Sequence, residues 1–323
     1  MTNELKNRRE IVFLYDVKDA NPNGDPDDSN RPRTDKDNYN IVTDVRLKRT
    51  IRDYWLSRYG EQQGKGILVK KFENEGGNLS SMADLITRAL NLPESINKEQ
   101  SGEIKSRIRS EVPANFIDVR FFGAAITLKG ANVSITGPTQ FGIGRSLNKP
   151  RITTHTITTT FSSGEDKQAG TFGETHVVEY SIIAFPGIVS ETSAKDTHLS
   201  DDDLNSLWEG LWYGTKELNT RSKFNHNPRL LLSVVSKPNE FQIGGLSRLL
   251  SIDDENIDEI KSEKDVIIDV TQFMDRLDRF KDKIEKIELI EDDLINFSVN
   301  DTNISNLAEY LTQQGYLVDK ILD

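Results

Sequence analysis

The fold turns on residues 10–55, EIVFLYDVKDANPNGDPDDSNRPRTDKDNYNIVTDVRLKRTIRDYW. The stretch EIVFLYDVKDA (10–20) has the Val, Ile, Phe and Tyr enrichment of a buried strand. The loop 21–42 is crowded with Asn, Pro, Gly and Asp, and loops of that length are usually functional or disordered. Thr43 and Asp44 then start a helix, with a capping hydroxyl and an acid at the positive end of the dipole. Leu47, Ile51, Tyr54 and Trp55 share one face at helical spacing, and Arg46, Lys48, Arg49 and Arg52 occupy the adjoining arc. The helix has an apolar side for a core and a basic edge for something else.

That edge sits in a chain of formal net charge -11. The acidity is local. Residues 251–323 hold 20 Asp and Glu against 8 Lys and Arg, a net of -12, which leaves residues 1–250 at +1. The first 250 residues are therefore neutral, with charge sorted into patches, which permits a polyanion partner without demanding one. At 323 residues the chain exceeds the usual single-core size, so one large elaborated domain or two domains is expected. With no Cys, a disulfide framework, a thiolate zinc site and a Cys nucleophile are excluded. MTNELKNRRE (1–10) lacks the apolar core of a signal peptide, and LLLSVV (230–235) is strand-sized. A soluble, cytoplasmic protein with no membrane partner is expected.

Further along, residues 60–115 read as an insertion, with a short helix around SMADLITRALNL and a polar stretch from Pro93 to Glu111. FIDVRFFGAAITLKGANVSITG (116–137) reads as resumed strands, and residues 151–185 as two β-rich arms around a Gly-containing tip. Residues 200–218 place Leu204, Leu207, Trp208, Leu211 and Trp212 on one helical face, and PRLLLSVVSK (228–237) is another buried strand. After it the acidic region carries one weak strand, DVIIDV, and charged helices. Stripped of insertions the order is strand, helix, strand, strand, helix, strand, the ferredoxin-like split βαβ pattern of an α+β protein. The expected division is 1–245, with its insertions, and an acidic region 246–323 that packs on or completes it.

Four cations on one helix edge suit a phosphate track, although such an edge is equally a solvated face. In ITGPTQFGIGRSLNKPR (135–151), Gly137, Gly142 and Gly144 admit close backbone approach, Phe141 offers a stacking surface, and Arg145, Lys149 and Arg151 offer phosphate contacts. An ordinary turn between strands reads as well. The Thr-rich arm from Thr153 to Phe161 is too polar for a core strand, and isolated ribbons are marginal in water, so a partner for it is expected. LNTRSKFNHNPR (218–229) adds Arg221, Lys223 and Arg229 at a helix exit, where cations also favour the dipole. Chemistry is poorly provided for. The four His (155, 176, 198, 226) have no metal-ligand spacing, and no Ser elbow or Walker loop is present. The acids Asp25, Asp27, Asp28, Asp35 and Asp37 do not have EF-hand spacing.

NPNGDPD…NRPRTD…VTDVRLKRTIRDY, TGPTQFGIGRSLN, KQAGTFGE and RSKFNHNPRLLL together resemble the CRISPR Cascade backbone subunit, the Cas-seven family of the RAMP superfamily, in its type I-B branch. The resemblance runs in order from about residue 10 to 236 and weakens in the acidic tail. It implies an RRM-like palm with inserted fingers (about 60–115) and a protruding β-hairpin thumb (about 150–175). It implies head-to-tail polymerisation of copies along the spacer of a CRISPR RNA guide, which is presented to a target DNA strand. Thr43, Arg46, Lys48, Arg49 and Arg52 would then meet guide phosphates, with Gln140, Phe141, Arg145 and Ser146 near the base of the thumb. Lys149, Arg151, Arg221 and Lys223 complete the expected RNA-binding set. Further partners would be a large subunit, a 5'-handle-binding subunit, a 3' hairpin-processing endonuclease and, indirectly, a recruited helicase-nuclease. No cofactor and no catalytic residue are implied. A related branch cuts target RNA with an Asp after its first strand, the region of Asp25, Asp27 and Asp28. A guided ribonuclease therefore stands as the alternative, and an oligomer module without nucleic acid as a third reading.

Overall fold

Residues 4–60, 62–70, 72–73, 79–93, 95–159, 171–252 and 260–322 are described by the structure, a computed structural model. Its main sheet is assembled around β1 (Arg9–Ala20), which is followed in the chain by α1 (Asp44–Tyr59), β2 (Thr171–Val189), α2 (Leu204–Lys216), β3 (His226–Ser236), β4 (Ile284–Glu291) and β5 (Val318–Lys320). The sheet order is β5-β4-β3-β1-β2, continued past β2 by Gly144–Ser146 and Ile41–Val42; Thr139–Phe141 and Ile152–Thr159 also pair with β2. β1 is antiparallel to both neighbours, with Phe13 opposite Phe185 of β2 and Leu231 of β3. The chain is α+β, and the strands read at 116–137 do not join its main sheet.

Successive side chains of a strand point to opposite faces, and both faces of this sheet are covered. Ile11, Phe13, Tyr15 and Val17 of β1 share a core with Leu47, Ile51 and Trp55 of α1 and Leu207, Trp208 and Leu211 of α2. The two helices sit close because α2 turns glycines toward α1. A Cβ at Gly210 would lie 2.7 Å from Ile51 Cγ2, and Trp55 Nε1 donates to Ser206 O at 2.7 Å. Val12 and Leu14 point the other way, into a core shared with Leu246, Ile268, Phe273, Leu277 and Phe297. The acidic C-terminal region thus supplies the second cover. It also adds β4 and β5 to the sheet and carries a four-stranded sheet of Ser251–Ile252, Ile267–Asp269, Asn296–Val299 and Thr302–Ile304, where the sequence suggested one weak strand.

The insertion has its own core, built from Leu68, Ile86, Ile104, Ile108, Val112, Ile126 and Val133. Its helices are Met82–Ala89, capped by Ser81, and Ser101–Asn115, inside the stretch read as polar. Residues 116–122 correct the strand reading. Ile117–Phe122 is helical, because Phe121 and Phe122 must both reach the Trp55 ring, at 5.2 and 5.6 Å between centroids. The strands Gly123–Leu128 and Ala131–Thr136 pair only with each other, so the insertion's core extends well past residue 115. No helix among the described residues is long and apolar enough to cross a membrane.

Charges inside this frame are paired. Asp16 of β1 accepts from Arg229 Nε at 2.7 Å, Tyr180 Oη at 2.9 Å and Asn227 Nδ2 at 3.1 Å, and Arg229 also bonds Asp292 beyond β4. Arg9 pairs with Asp201 at 2.8 Å and Glu288 of β4 at 3.2 Å. Arg229, which the sequence placed among helix-exit cations, is therefore a buried tie between β1, β3 and the C-terminal region. Arg229→Met is expected to strand the Asp16 carboxylate and cost about 3–5 kcal/mol, read as a fall in the urea midpoint. Asp292→Asn, at the more exposed end, should cost much less, and equal costs would show that the buried Asp16 pair is not what holds the tie.

Candidate nucleic-acid interface

One end of the sheet collects the cations. Ala20, the last residue of β1, pairs with Val178 of β2; before Val178, β2 pairs only with Ile152–Thr159. The two strands leave the sheet there as a ribbon, polar as its Thr content demands. The tip, residues 160–170, lies outside the described residues. The same end receives the start of α1, the start of β3 and the loop 21–42.

That loop is ordered by its own polar groups. Thr43 caps α1, its hydroxyl accepting from Arg46 N at 3.3 Å, while Asn23 Oδ1 accepts from Thr43 N at 3.0 Å and Thr43 Oγ1 at 3.1 Å. Asp25 Oδ1 accepts from Asp27 N and Arg33, and Asp35 Oδ1 from Asp37 N and Tyr39 N. Two of the five loop acids are thus spent on turns. Among the described residues no group of three His, Cys, Asp or Glu is placed to hold a metal ion.

The four cations of the basic arc of α1 differ. Arg49 is 66 % exposed and pairs only with Asp53, one turn on, at 3.1 Å. Lys48 is half-buried between Asp44 and Gln140, both at 3.1 Å, with its ammonium over the Phe122 ring. Arg52 bonds Asp118, a fully buried carboxylate that also accepts Leu68 N and Val69 N. It clamps the insertion to α1 and is not presented to a phosphate. Arg46 lines a small space of about 10 Å³ between the start of α1, the end of α2 and the sheet, beside Tyr15 and His226.

There Arg46 meets Lys223, whose ammonium donates to the Asn21 carbonyl. Burial, and then the charge of Arg46, push Lys223 down to about 7. Burial, and then Lys223, push the His226 imidazole down to about 3. Burial also lowers Arg46. Such depression follows when cations gather and no carboxylate approaches closely enough to offset their desolvation.

Of the remaining expected residues, Arg145 is exposed and paired with Asp35, and Lys149 lies over the Tyr39 ring at 5.4 Å. Arg151 is 66 % exposed with Glu179 at 3.9 Å, and Arg221 is exposed with no partner among the described residues. Gln140 is exposed and accepts from Lys48. Two expectations are corrected. Phe141 offers no stacking surface: it is 7 % exposed, packed on Phe122 and over Gly187. Ser146 is 3 % exposed, its hydroxyl donating to Asn148 O at 2.6 Å and accepting from Asn40 N at 2.8 Å, so it stitches the loop to the sheet edge. The sequence reading passed over Asn23 and Asp118, whose partners are 20 and up to 66 residues away.

Lys223 carries a pH signature. From the ordinary 10.5 down to about 7 the unfolded chain holds a proton that the folded chain has lost, so stability rises with pH through that window. Below about 7 both forms are charged and the burial cost is complete. Lys223→Met is expected to melt higher than the parent at pH 7, with the gap closing toward pH 10. A pH-independent gap would show that Lys223 is not desolvated.

A family model described as CRISPR-associated protein Cas7 matches residues 7–271. A CRISPR-associated protein Cas7 of Haloferax volcanii is 31% identical over 339 residues, spanning 98% of this chain and 96% of that one. Two solved chains, from structures described as a CRISPR RNA-guided surveillance complex, pre-nicking, and a CRISPR RNA-guided surveillance complex, superpose at TM-scores of 0.52 and 0.51. They are 10% identical, cover 91% of this chain, and are themselves covered to 96% and 90%, so the likeness is one of fold. The chain belongs to the CRISPR-associated protein Cas7 family.

Proposed function

We propose that this chain is the non-catalytic backbone subunit of a type I Cascade complex, of the I-B branch, and that it polymerises along the spacer of a CRISPR RNA guide. The observation that carries this is the gathering of the cations Arg46, Lys223 and Arg221 at the end of the sheet where the two-stranded ribbon departs. The sheet with α1 and α2 is the RRM-like palm, the insertion after α1 the fingers, and the ribbon the thumb. The acidic region 246–323 backs the palm. Guide phosphates run past Thr43, Arg46, Lys48 and Arg49, cross Arg221 and Lys223, and reach Arg145, Lys149 and Arg151 beside Gln140 at the base of the thumb. Arg52, Phe141 and Ser146 support this path from within. Contacts to backbone leave sequence to base pairing, as a subunit that accepts every spacer requires.

Neighbouring copies, the guide and the target DNA strand are the direct partners. The large subunit, the 5'-handle-binding subunit and the 3' hairpin-processing endonuclease complete the particle in the cytoplasm, and a helicase-nuclease recruited to it cuts. Asp25 and Asp35 serve their loop's turns, and among the described residues no third His, Cys, Asp or Glu joins Asp27 and Asp28 in a group that could hold a catalytic metal.

Arg49→Glu with Arg221→Glu touches two exposed side chains. It is expected to keep the fold and to abolish recovery of protected RNA from cells expressing a CRISPR array. In vitro the salt slope should fall by about 0.7 for each phosphate no longer neutralised; unchanged binding at matched salt would remove these residues from the path. The assembled complex is also expected to leave labelled RNA complementary to the guide intact in Mg²⁺ or Mn²⁺. Regularly spaced products that vanish in Asp27→Ala/Asp28→Ala would make the protein a guided ribonuclease instead.

A further inference from the structure

Phe224 is the one aromatic ring among the large hydrophobic side chains that stand exposed on the described residues, at 59%. It lies in the turn between α2 and β3, and the turn is tied down on both sides of the ring. Asn21 N donates to Ser222 O at 2.9 Å, Lys18 N to Asn225 O at 3.4 Å, and Lys223 N to Thr220 O at 3.0 Å. Asn225 takes a left-handed conformation, φ 57°, which lets the chain reverse into β3 without drawing the ring inward. The backbone on either side is thus fastened to the end of β1 while the side chain is left in water. Fully burying a Phe is favourable by about 1.5–3 kcal/mol, so covering this ring would gain much of that.

Charge says what covers it. Lys223 is the residue before the ring, Arg221 is two residues further back, and Arg46 adjoins Lys223. No carboxylate is among the groups that perturb Lys223 or His226. An apolar side chain of a protein would bring nothing to satisfy these cations. A nucleotide brings both parts, a flat apolar ring and a phosphate on each side of it, and stacking on an aromatic is indifferent to base identity because every base has a π face.

We infer that Phe224 stacks on one nucleobase of the bound RNA strand, whose flanking phosphates rest on Arg221 and on the Arg46–Lys223 pair. This deepens the guide-binding reading and rests on it. It assigns the ring a task the cations cannot perform, which is to hold one base in a fixed orientation at the point where the strand passes the root of the ribbon.

The test measures binding of a labelled oligouridylate and of the matching abasic ribose-phosphate oligomer to the full chain. Phe224→Ala is expected to weaken oligouridylate about 5- to 150-fold, the equivalent of 1–3 kcal/mol for one stacked base. Its affinity for the abasic oligomer and its salt slope should not change. Phe224→Trp should restore affinity and report it, because Trp55, Trp208 and Trp212 are buried at 0, 3 and 3 % exposure and a ring at 224 would be the one in water. Its fluorescence should be quenched by oligouridylate and not by the abasic oligomer. Equal losses on both oligomers, no loss, or no quenching would overturn the stacking role while Arg49→Glu with Arg221→Glu still tested the path. Should Phe224→Ala impair self-association without RNA, measured by sedimentation, and spare RNA affinity, the ring belongs to a protein contact and the inference fails. Absence of binding by the parent chain to either oligomer would sink both readings, and that double mutant would then have nothing to lose.

Discussion

A sheet buried on both faces is the constraint from which the rest follows. β1 can be a nearly unbroken apolar run because its odd-numbered side chains meet α1 and α2 and its even-numbered ones meet the C-terminal region. Charged residues buried in such a strand must find partners inside, and Arg9, Glu10 and Asp16 of β1 each find one far away in sequence. Arg9 takes Asp201 and Glu288, Glu10 accepts the amides of Ile243 and Gly244, and Asp16 takes Arg229. Of these contacts Arg9–Glu288, together with Arg229–Asp292, ties the acidic quarter to the sheet. The C-terminal region also covers the sheet face that looks away from α1 and α2. A ligand is left with the ends and edges of the sheet.

The same layering explains how an acidic chain can present a basic site. Packed layers lie about 10 Å apart, and the C-terminal region is separated from α1 by the sheet. The Debye length near physiological salt is about 8 Å. The charges that the described residues of 260–322 expose on that far side act on the α1 edge mostly through solvent, where salt screens them. Net charge taken over the whole chain hides this, because the acidic excess belongs to residues 251–323 while residues 1–250 are nearly neutral.

Local signals were legible in the sequence, and long-range pairings were not. The strand 9–20, the Thr43 cap, the four-residue apolar face of α1 and the Leu/Trp face of α2 each follow from spacing over a few residues, and each formed where expected. The ribbon was visible as a Thr-rich arm too polar for a core. By contrast, ITGPTQFGIGRSLNKPR looks like a solvent-facing glycine loop. Its glycines in fact make room for rings: a Cβ at Gly144 would lie 2.4 Å from the Phe185 ring, and Phe141 packs over Gly187. That reversal depends on which strand lies opposite, a register no local pattern reports. FIDVRFF was misread for a related reason. Its aromatic and β-branched content suits a strand, and only the need to bring Phe121 and Phe122 together on Trp55 makes it a helix turn. Tertiary packing outweighs an intrinsic preference of this size.

The cost of releasing each cation separates those available to a phosphate from those that build the scaffold. The exposed pairs Arg49–Asp53, Arg145–Asp35 and Arg151–Glu179 are worth about 0–1 kcal/mol each, since both ends are partly hydrated. A phosphate can displace such a carboxylate at little loss. Arg52 and Arg229 face carboxylates at 0 and 1 % exposure, and removing either cation would leave a buried charge unpaired, a cost several times larger. They stay where they are. Arg46 and Lys223 form a third kind, cations desolvated by burial, with Lys223 held by the Asn21 carbonyl and Arg46 offset in part by the charge of Asp53. A helix edge that looks uniformly basic in sequence is thus divided by burial.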